Sequence, residues 1–313
     1  MKILFRDQIE DILPSLDLLP EIERGFAAYS EGRAVVPPVG ELLLDHGEVH
    51  IKYGYIREQP HYVIKIASGF YEDPARDRLS SNGMMLLFSQ QSGEAVCALL
   101  DEGLLTNIRT AVAGAIVAKY LAPRQVDKIG MVGAGTQARL QLSHLKPVTS
   151  CRKVVVWGTS TEELESYRRE MEAHGFELET TREIRRIQEE CRLIVTTTPS
   201  LTPLLLPDDL RKGTHMTAVG SDTPDKQELD TGILSRADLV VADSVEQCLV
   251  RGEIHQAIKA GRLEKDQITE LGQIILGRAR GRESGDQITV ADLTGVAVQD
   301  MAIAQAVYQA SQA

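Results

Sequence analysis

The sharpest chemical signal in the chain is Gly133-Ala134-Gly135-Thr136-Gln137-Ala138, a GxGxxA spacing. It directly follows the short apolar run Lys128-Ile129-Gly130-Met131-Val132. Each small residue then has a physical task. Gly133 permits a tight turn, Gly135 lets the backbone approach a pyrophosphate, and Ala138 lets a helix pack closely on a strand. The helix start at Thr136 and Gln137 offers N–H groups and a positive dipole end to phosphates. The pattern predicts a dinucleotide site. An acid about 20 residues on would bind a ribose 2′-OH, and an arginine would pair with a 2′-phosphate. Here the next strand, Lys153-Val154-Val155-Val156-Trp157, ends in Gly158-Thr159-Ser160, with neither. NAD and NADP both stay open. Metal and disulfide chemistry find no support. Cys97, Cys151, Cys191 and Cys248 form no CxxC pair, and the seven histidines show no HExxH spacing. A reducing cytoplasm is the expected setting.

A dinucleotide turn needs a parallel sheet beneath it. Leu193-Ile194-Val195-Thr196-Thr197, Thr217-Ala218-Val219 and Asp238-Leu239-Val240-Val241-Ala242 read as further strands, and Glu162 to His174 as an amphipathic helix. Short apolar strands alternating with helices predict a parallel sheet covered on both faces, an α/β Rossmann domain. Thr197 and Val219-Gly220-Ser221 then end at the carboxyl edge, where such sheets bind ligands. Residues 35–101 read differently. Runs such as Glu41–Leu44, Val49–Lys52, Tyr62–Ile66, Met84–Phe88 and Ala95–Leu100, bounded by Gly, Pro, Asp and Ser, predict a mixed or antiparallel sheet. Residues 8–31 read as helix, split by Pro14 and Pro20 into a short turn and a longer helix. Residues 104–121 and 296–310 read as two more helices.

The chain has 313 residues and a formal net charge of 34 − 45 = −11. That length favours two domains, and that charge argues against nucleic acid as a partner. No apolar run approaches the roughly 20 residues of a membrane span. The first seven residues do not read as a secretory signal.

Four further segments stand out: Tyr62-Val63-Ile64-Lys65-Ile66-Ala67-Ser68-Gly69-Phe70, Leu105-Thr106-Asn107-Ile108-Arg109-Thr110-Ala111, Val219 to Leu229 with Gly220-Ser221-Asp222-Thr223-Pro224, and Leu293-Thr294-Gly295-Val296-Ala297-Val298-Gln299-Asp300. With the Gly133 turn between the second and third, this order resembles the ornithine cyclodeaminase/mu-crystallin family from about Gly32 to Ala306. The stretches Gly69-Phe70, Asn82-Gly83 and Leu100-Asp101-Glu102-Gly103 look more like its imino-acid reductase branch.

The resemblance implies roles. Lys65 matches an active-site lysine able to donate a proton or hydrogen bond to a substrate nitrogen or carboxylate. Arg109 matches a carboxylate-binding arginine, whose planar guanidinium can hold a carboxylate bidentately. Asp222 matches a proton-transfer aspartate, with Lys226 near it in sequence. Lys52 is a further substrate-binding candidate. Thr294, Gly295 and Val296 match a segment beside the nicotinamide, and Asp300 is read as structural. Many relatives carry an arginine after an early Pro pair, whereas Val39 follows Pro37-Pro38 here, which weighs against ornithine cyclisation.

Together these readings imply an NAD(P)H-dependent oxidoreductase acting on the C–N bond of a small α-imino or α-amino acid. A cyclodeaminase with internally recycled NAD and a non-catalytic, mu-crystallin-like ligand-binding protein are the alternatives. Residues 119–298 would form the Rossmann domain. Residues 1–118 with 299–313 would form a smaller α+β domain for substrate binding and, as in relatives, dimerisation.

Overall fold

The computed structural model describes residues 1–70 and 81–312. The chain opens with strand β1 (Lys2–Phe5), helix α1 (Arg6–Ile12) and helix α2 (Leu18–Ser30). Strands β2 (Ala34–Val35), β3 (Gly40–Leu44), β4 (Gly47–Ile56), β5 (His61–Gly69), β6 (Ser81–Ser89) and β7 (Ala95–Leu100) follow, then helix α3 (Leu104–Leu121). Next come β8 (Ile129–Val132), α4 (Thr136–His144), β9 (Lys153–Trp157), α5 (Thr161–Ala173), β10 (Glu177–Thr181), α6 (Arg185–Glu190), β11 (Leu193–Thr196) and β12 (His215–Ala218). The chain ends with α7 (Thr231–Arg236), β13 (Leu239–Ala242), α8 (Val245–Cys248), α9 (Gly252–Lys259), β14 (Ile268–Glu270), α10 (Leu271–Ile275), β15 (Thr289–Asp292) and α11 (Ala297–Ala310).

Two compact units result: Met1–Arg109 with Val296–Ala313, and Thr110–Gly295. The first changeover, at Arg109/Thr110, falls within α3, nine residues before the expected 118/119.

In the first unit the strands run in the order β1-β7-β6-β5-β4-β2, with β3 also paired to β4. β1 joins β7 in parallel, and the other pairs are antiparallel. Side chains alternate between faces, so His50, Lys52, Gly54 and Ile56 of β4 point to the buried side with Val63 and Lys65 of β5. Helix α11 lies against β4, β5 and β6 and packs on α2. Two glycines permit this close approach. A Cβ on Gly25 of α2 would come 3.0 Å from the Val298 carbonyl oxygen, and one on Gly54 of β4 would come 2.7 Å from Met301 Cε of α11. The register places Ile3, Tyr53, Ile64, Met84 and Leu86 on the opposite face. Of these, Ile3, Tyr53 and Met84 are exposed.

In the second unit all eight strands are parallel, in the order β10-β9-β8-β11-β12-β15-β13-β14. Val132, Val155, Ile194, Met216, Val240 and Val290 belong to its apolar core. Strand order reverses between β8 and β11, which opens a crevice at their carboxyl ends. No described helix is long and apolar enough to cross a membrane.

Sequence pattern misses some elements. β1 is invisible locally because its partner β7 lies more than ninety residues on. β10, Glu177-Leu178-Glu179-Thr180-Thr181, is a polar edge strand without an apolar run. Pro20 does not split a helix. It is the third residue of α2, where an N–H would have no intrahelical partner.

Helix α3 is capped by a buried acid: the Leu105 N–H donates to Asp101 Oδ2 at 2.7 Å. Burial pushes the Asp101 carboxyl up to about 6. A folded-state pKa above the unfolded value of about 3.9 means the folded chain binds the extra proton between them. Stability from this group is therefore present at acid pH and is lost as pH rises through about 6. Asp101→Asn keeps an acceptor without the charge. Its Tm relative to wild type should improve between pH 4.5 and pH 8 (round working values bracketing the titration), and a difference that stays flat across that range would refute the assignment.

Candidate functional site

The crevice of the second unit is built from small residues. Gly133 has φ +106°, a conformation that disfavours any side chain, and its Cβ would lie 2.8 Å from Thr197 Oγ1. Thr197 Oγ1 in turn donates to the Val132 carbonyl at 3.1 Å, locking the ends of β8 and β11 together. Gly135 is different. Its φ is −82°, open to every residue type, and a Cβ there would meet no atom within 4 Å. Nothing inside the protein demands glycine at this position. The start of α4 beside it carries no side-chain cap, which leaves room for a phosphate group to approach its N–H groups. Ala138 is fully buried, and the Tyr167 hydroxyl donates to its carbonyl at 3.3 Å.

At the end of β9, Ser160 is committed to local structure. Its Oγ accepts from the Glu163 N–H at 3.2 Å and donates to Glu162 Oε2 at 3.1 Å, capping α5. Gly158 and Thr159 lead into that cap.

The ends of β11 and β12 are joined by a residue the sequence reading passes over. Glu228 is fully buried and accepts from Thr196 Oγ1 at 2.7 Å, Thr198 N at 2.6 Å, Thr198 Oγ1 at 2.8 Å and Gly220 N at 2.9 Å. Burial raises its carboxyl to about 7 against the pull of these donors. Gly220 must lie close to this acid and to Thr198, since a Cβ would come 2.1 Å from the Thr198 carbonyl oxygen. Val219, Gly220 and Ser221 thereby lead to Asp222 on a fixed path. Lys226 Nζ donates to Asp222 Oδ1 at 2.8 Å, and Arg251 Nη1 donates to the Asp222 carbonyl at 3.2 Å. The carboxylate of Asp222 remains partly exposed.

The Thr294-Gly295 segment is held by Asp243, another acid missed from sequence. Thr294 Oγ1 donates to Asp243 Oδ1 at 3.1 Å and Gly295 N to Oδ2 at 2.7 Å. Gln247 Nε2 donates to Thr294 Oγ1 at 2.8 Å. Val296 is the N-cap of α11.

The first unit holds the cations. Lys52 and Lys65 are cross-strand partners of β4 and β5 on the face beneath α11. Lys65 is 2% exposed and Arg109 4%. Both reach the same carboxylate: Arg109 Nε lies 2.8 Å from Asp300 Oδ1, and Lys65 Nζ lies 3.7 Å from Asp300 Oδ2. Arg109 Nη1 also donates to Gln299 Oε1 at 2.9 Å. Those two side chains leave the Nη2 corner of the guanidinium unengaged by either. The structure therefore brings Lys52, Lys65 and Arg109 to one region of the first unit, while Asp222 and the glycine turn belong to the second. The sequence offered one signal for Gln299 and Asp300, their place directly after Thr294-Gly295-Val296.

Comparison with known proteins agrees with this architecture. The chain is 40% identical over 320 residues, spanning 100% of it and 96% of the relative, to an uncharacterised cyclodeaminase of Sinorhizobium fredii. It is 32% identical to the iminosuccinate reductase of Paracoccus denitrificans, over 99% of this chain and 96% of that one. The solved Δ1-pyrroline-2-carboxylate reductase of Thermococcus litoralis, in complex with NADH and L-proline, superposes with a TM-score of 0.94 at 26% identity, covering 100% and 98% of the two chains. The model of the ornithine cyclodeaminase/mu-crystallin family matches residues 2–313, and the chain belongs to that family.

Proposed function

We propose that this protein is a nicotinamide-dinucleotide-dependent oxidoreductase that reduces the C=N bond of a small α-imino acid. The observation that carries the reading is the burial of Lys65 and Arg109 around one carboxylate. Cations set on a core face are costly unless they are paired and serve a ligand. An arginine fork presented from such a site suits a substrate carboxylate. The iminosuccinate and pyrroline-2-carboxylate reductases among the similar proteins support the same substrate class.

The dinucleotide-binding role belongs to the second unit, with Gly133, Ala134, Gly135, Thr136, Gln137, Gly158, Thr159, Ser160, Thr197, Val219, Gly220, Ser221, Thr294, Gly295 and the adjoining Val296 as its contacts. When bound, the nicotinamide supplies the hydride that the imine carbon takes up. The nitrogen must gain a proton at the same time, so that an imine becomes an amine. Lys65 gives its Nζ proton to that nitrogen, or hydrogen-bonds the substrate carboxylate through Nζ. Arg109 fixes the carboxylate through Nη2, and Lys52 adds positive charge beside Lys65. Asp222 keeps the proton-transfer role that the family resemblance implies. Ser160 is occupied as a cap with Glu162 against it, which favours NADH over its 2′-phosphorylated form. We further propose a homodimer formed through the apolar face carrying Ile3, Tyr53 and Met84. A cytoplasmic setting fits the four cysteines, all free and buried.

Nicotinamide absorbance should fall stoichiometrically when NADH and cyclic or acyclic imino acids are mixed with the protein. Ammonia release from a diamino acid without net absorbance change would instead identify a cyclodeaminase, and binding without turnover would identify a ligand-binding protein. Arg109→Ala should lower kcat/KM by about 10²-fold, chiefly through KM, with dinucleotide affinity unchanged. Gly135→Val should lose dinucleotide binding at nearly wild-type Tm, and retained affinity would refute the assigned cradle. Light scattering should give twice the 34.4 kDa chain mass, and a Tyr53→Glu/Met84→Glu variant should be monomeric.

A further inference from the structure

We infer that Asp300, together with Gln299, is a positioning residue that aims Arg109 at the substrate carboxylate. The inference rests on the imino-acid reading above. The two residues are consecutive on the first turn of α11 and take different corners of one guanidinium, Asp300 at Nε and Gln299 at Nη1. The hydrogen bond from Nη1 to Gln299 and the ion pair of Nε with Asp300 together restrict how this planar group can turn. Asp300 uses both oxygens, the second facing the Lys65 ammonium at 3.7 Å.

This arrangement solves a specific electrical problem. Lys65 on β5 and Arg109 on α3 are like charges, and both are almost fully buried. Without a carboxylate between them they would repel and turn apart. Asp300 is 1% exposed and stands at the N-terminal end of a 14-residue helix, where the dipole favours an anion. It thus ties α11, α3 and β5 into one charge cluster. A carboxylate placed only to neutralise Arg109 would not need to reach Lys65, nor would Gln299 need to hold a second corner. Supporting partners of this kind fix a ligand-binding side chain to within a fraction of an ångström.

The test uses the full-length protein with NADH and the imino acid that wild type reduces fastest. Asp300→Asn should raise KM by about 10- to 100-fold with a smaller fall in kcat, while NADH affinity stays within twofold. Asp300→Glu keeps the buried charge but moves it by one methylene. It should raise KM several-fold at wild-type Tm, and it decides the matter if the asparagine variant does not fold. Wild-type KM in Asp300→Glu, or a parallel loss of NADH affinity in both variants, overturns the inference. A crystal structure of either variant reads the Arg109 side chain without any substrate. A displaced guanidinium supports the positioning role and an unmoved one overturns it, even if no imino acid proves to be turned over.

Discussion

The structure of the first unit turns on one carboxylate set between two cations inside an apolar layer. Bringing Lys65 and Arg109 out of water costs several kcal/mol per ion in the absence of partners. Asp300 offsets that cost for both, because each of its oxygens faces a different cation. The surrounding packing follows from the need to deliver it. Helix α11 must lie flat on β4 and β5, and Gly25 and Gly54 remove the side chains that would keep it away. A cluster of this kind is poor value as a source of stability, since apolar residues would fill the space as well.

The second unit uses buried acids for another purpose. Glu228 and Asp243 face backbone N–H groups and hydroxyls, and they stitch together the loops that leave the carboxyl edge of the sheet. Loops at such an edge have no strand partner to fix them, so side-chain acceptors take over that task. The result is a rim whose shape is set before any ligand arrives. Gly133 and Gly220 complete it by allowing approaches that a Cβ would forbid.

Much of this was legible in the chain itself. The GxGxxA turn announces its strand and helix through its spacing after an apolar run, and the apolar strands β8, β9, β11, β12 and β13 stand out as short runs. Lys65 and Arg109 were visible through the family resemblance of the segments that carry them. What stayed hidden depends on pairing across long separations. β1 acquires its hydrogen bonds from β7, and Asp300 acquires its meaning only when α11 returns to β5 and α3. Read locally, Asp300 is simply an acid in the first turn of a helix, where any acid is favourable. Glu228 and Asp243 were hidden for the same reason, since nothing in their neighbours says that they will be enclosed. Pro20 misled because its position relative to the helix start decides whether it breaks the helix.

The first unit is made of two separated stretches, with the whole second unit inserted between them. On a ribosome, β4, β5 and the start of α3 emerge long before residues 296–313. Until those last residues arrive, Lys65 and Arg109 have neither Asp300 nor Gln299 to meet, and the sheet lacks the helix that covers it. The nascent chain therefore carries an open apolar layer studded with cations throughout synthesis of the second unit. Assembly of the Lys65–Arg109 cluster therefore waits for α11, and a chain cut short before that helix would be a natural client for chaperones and proteases.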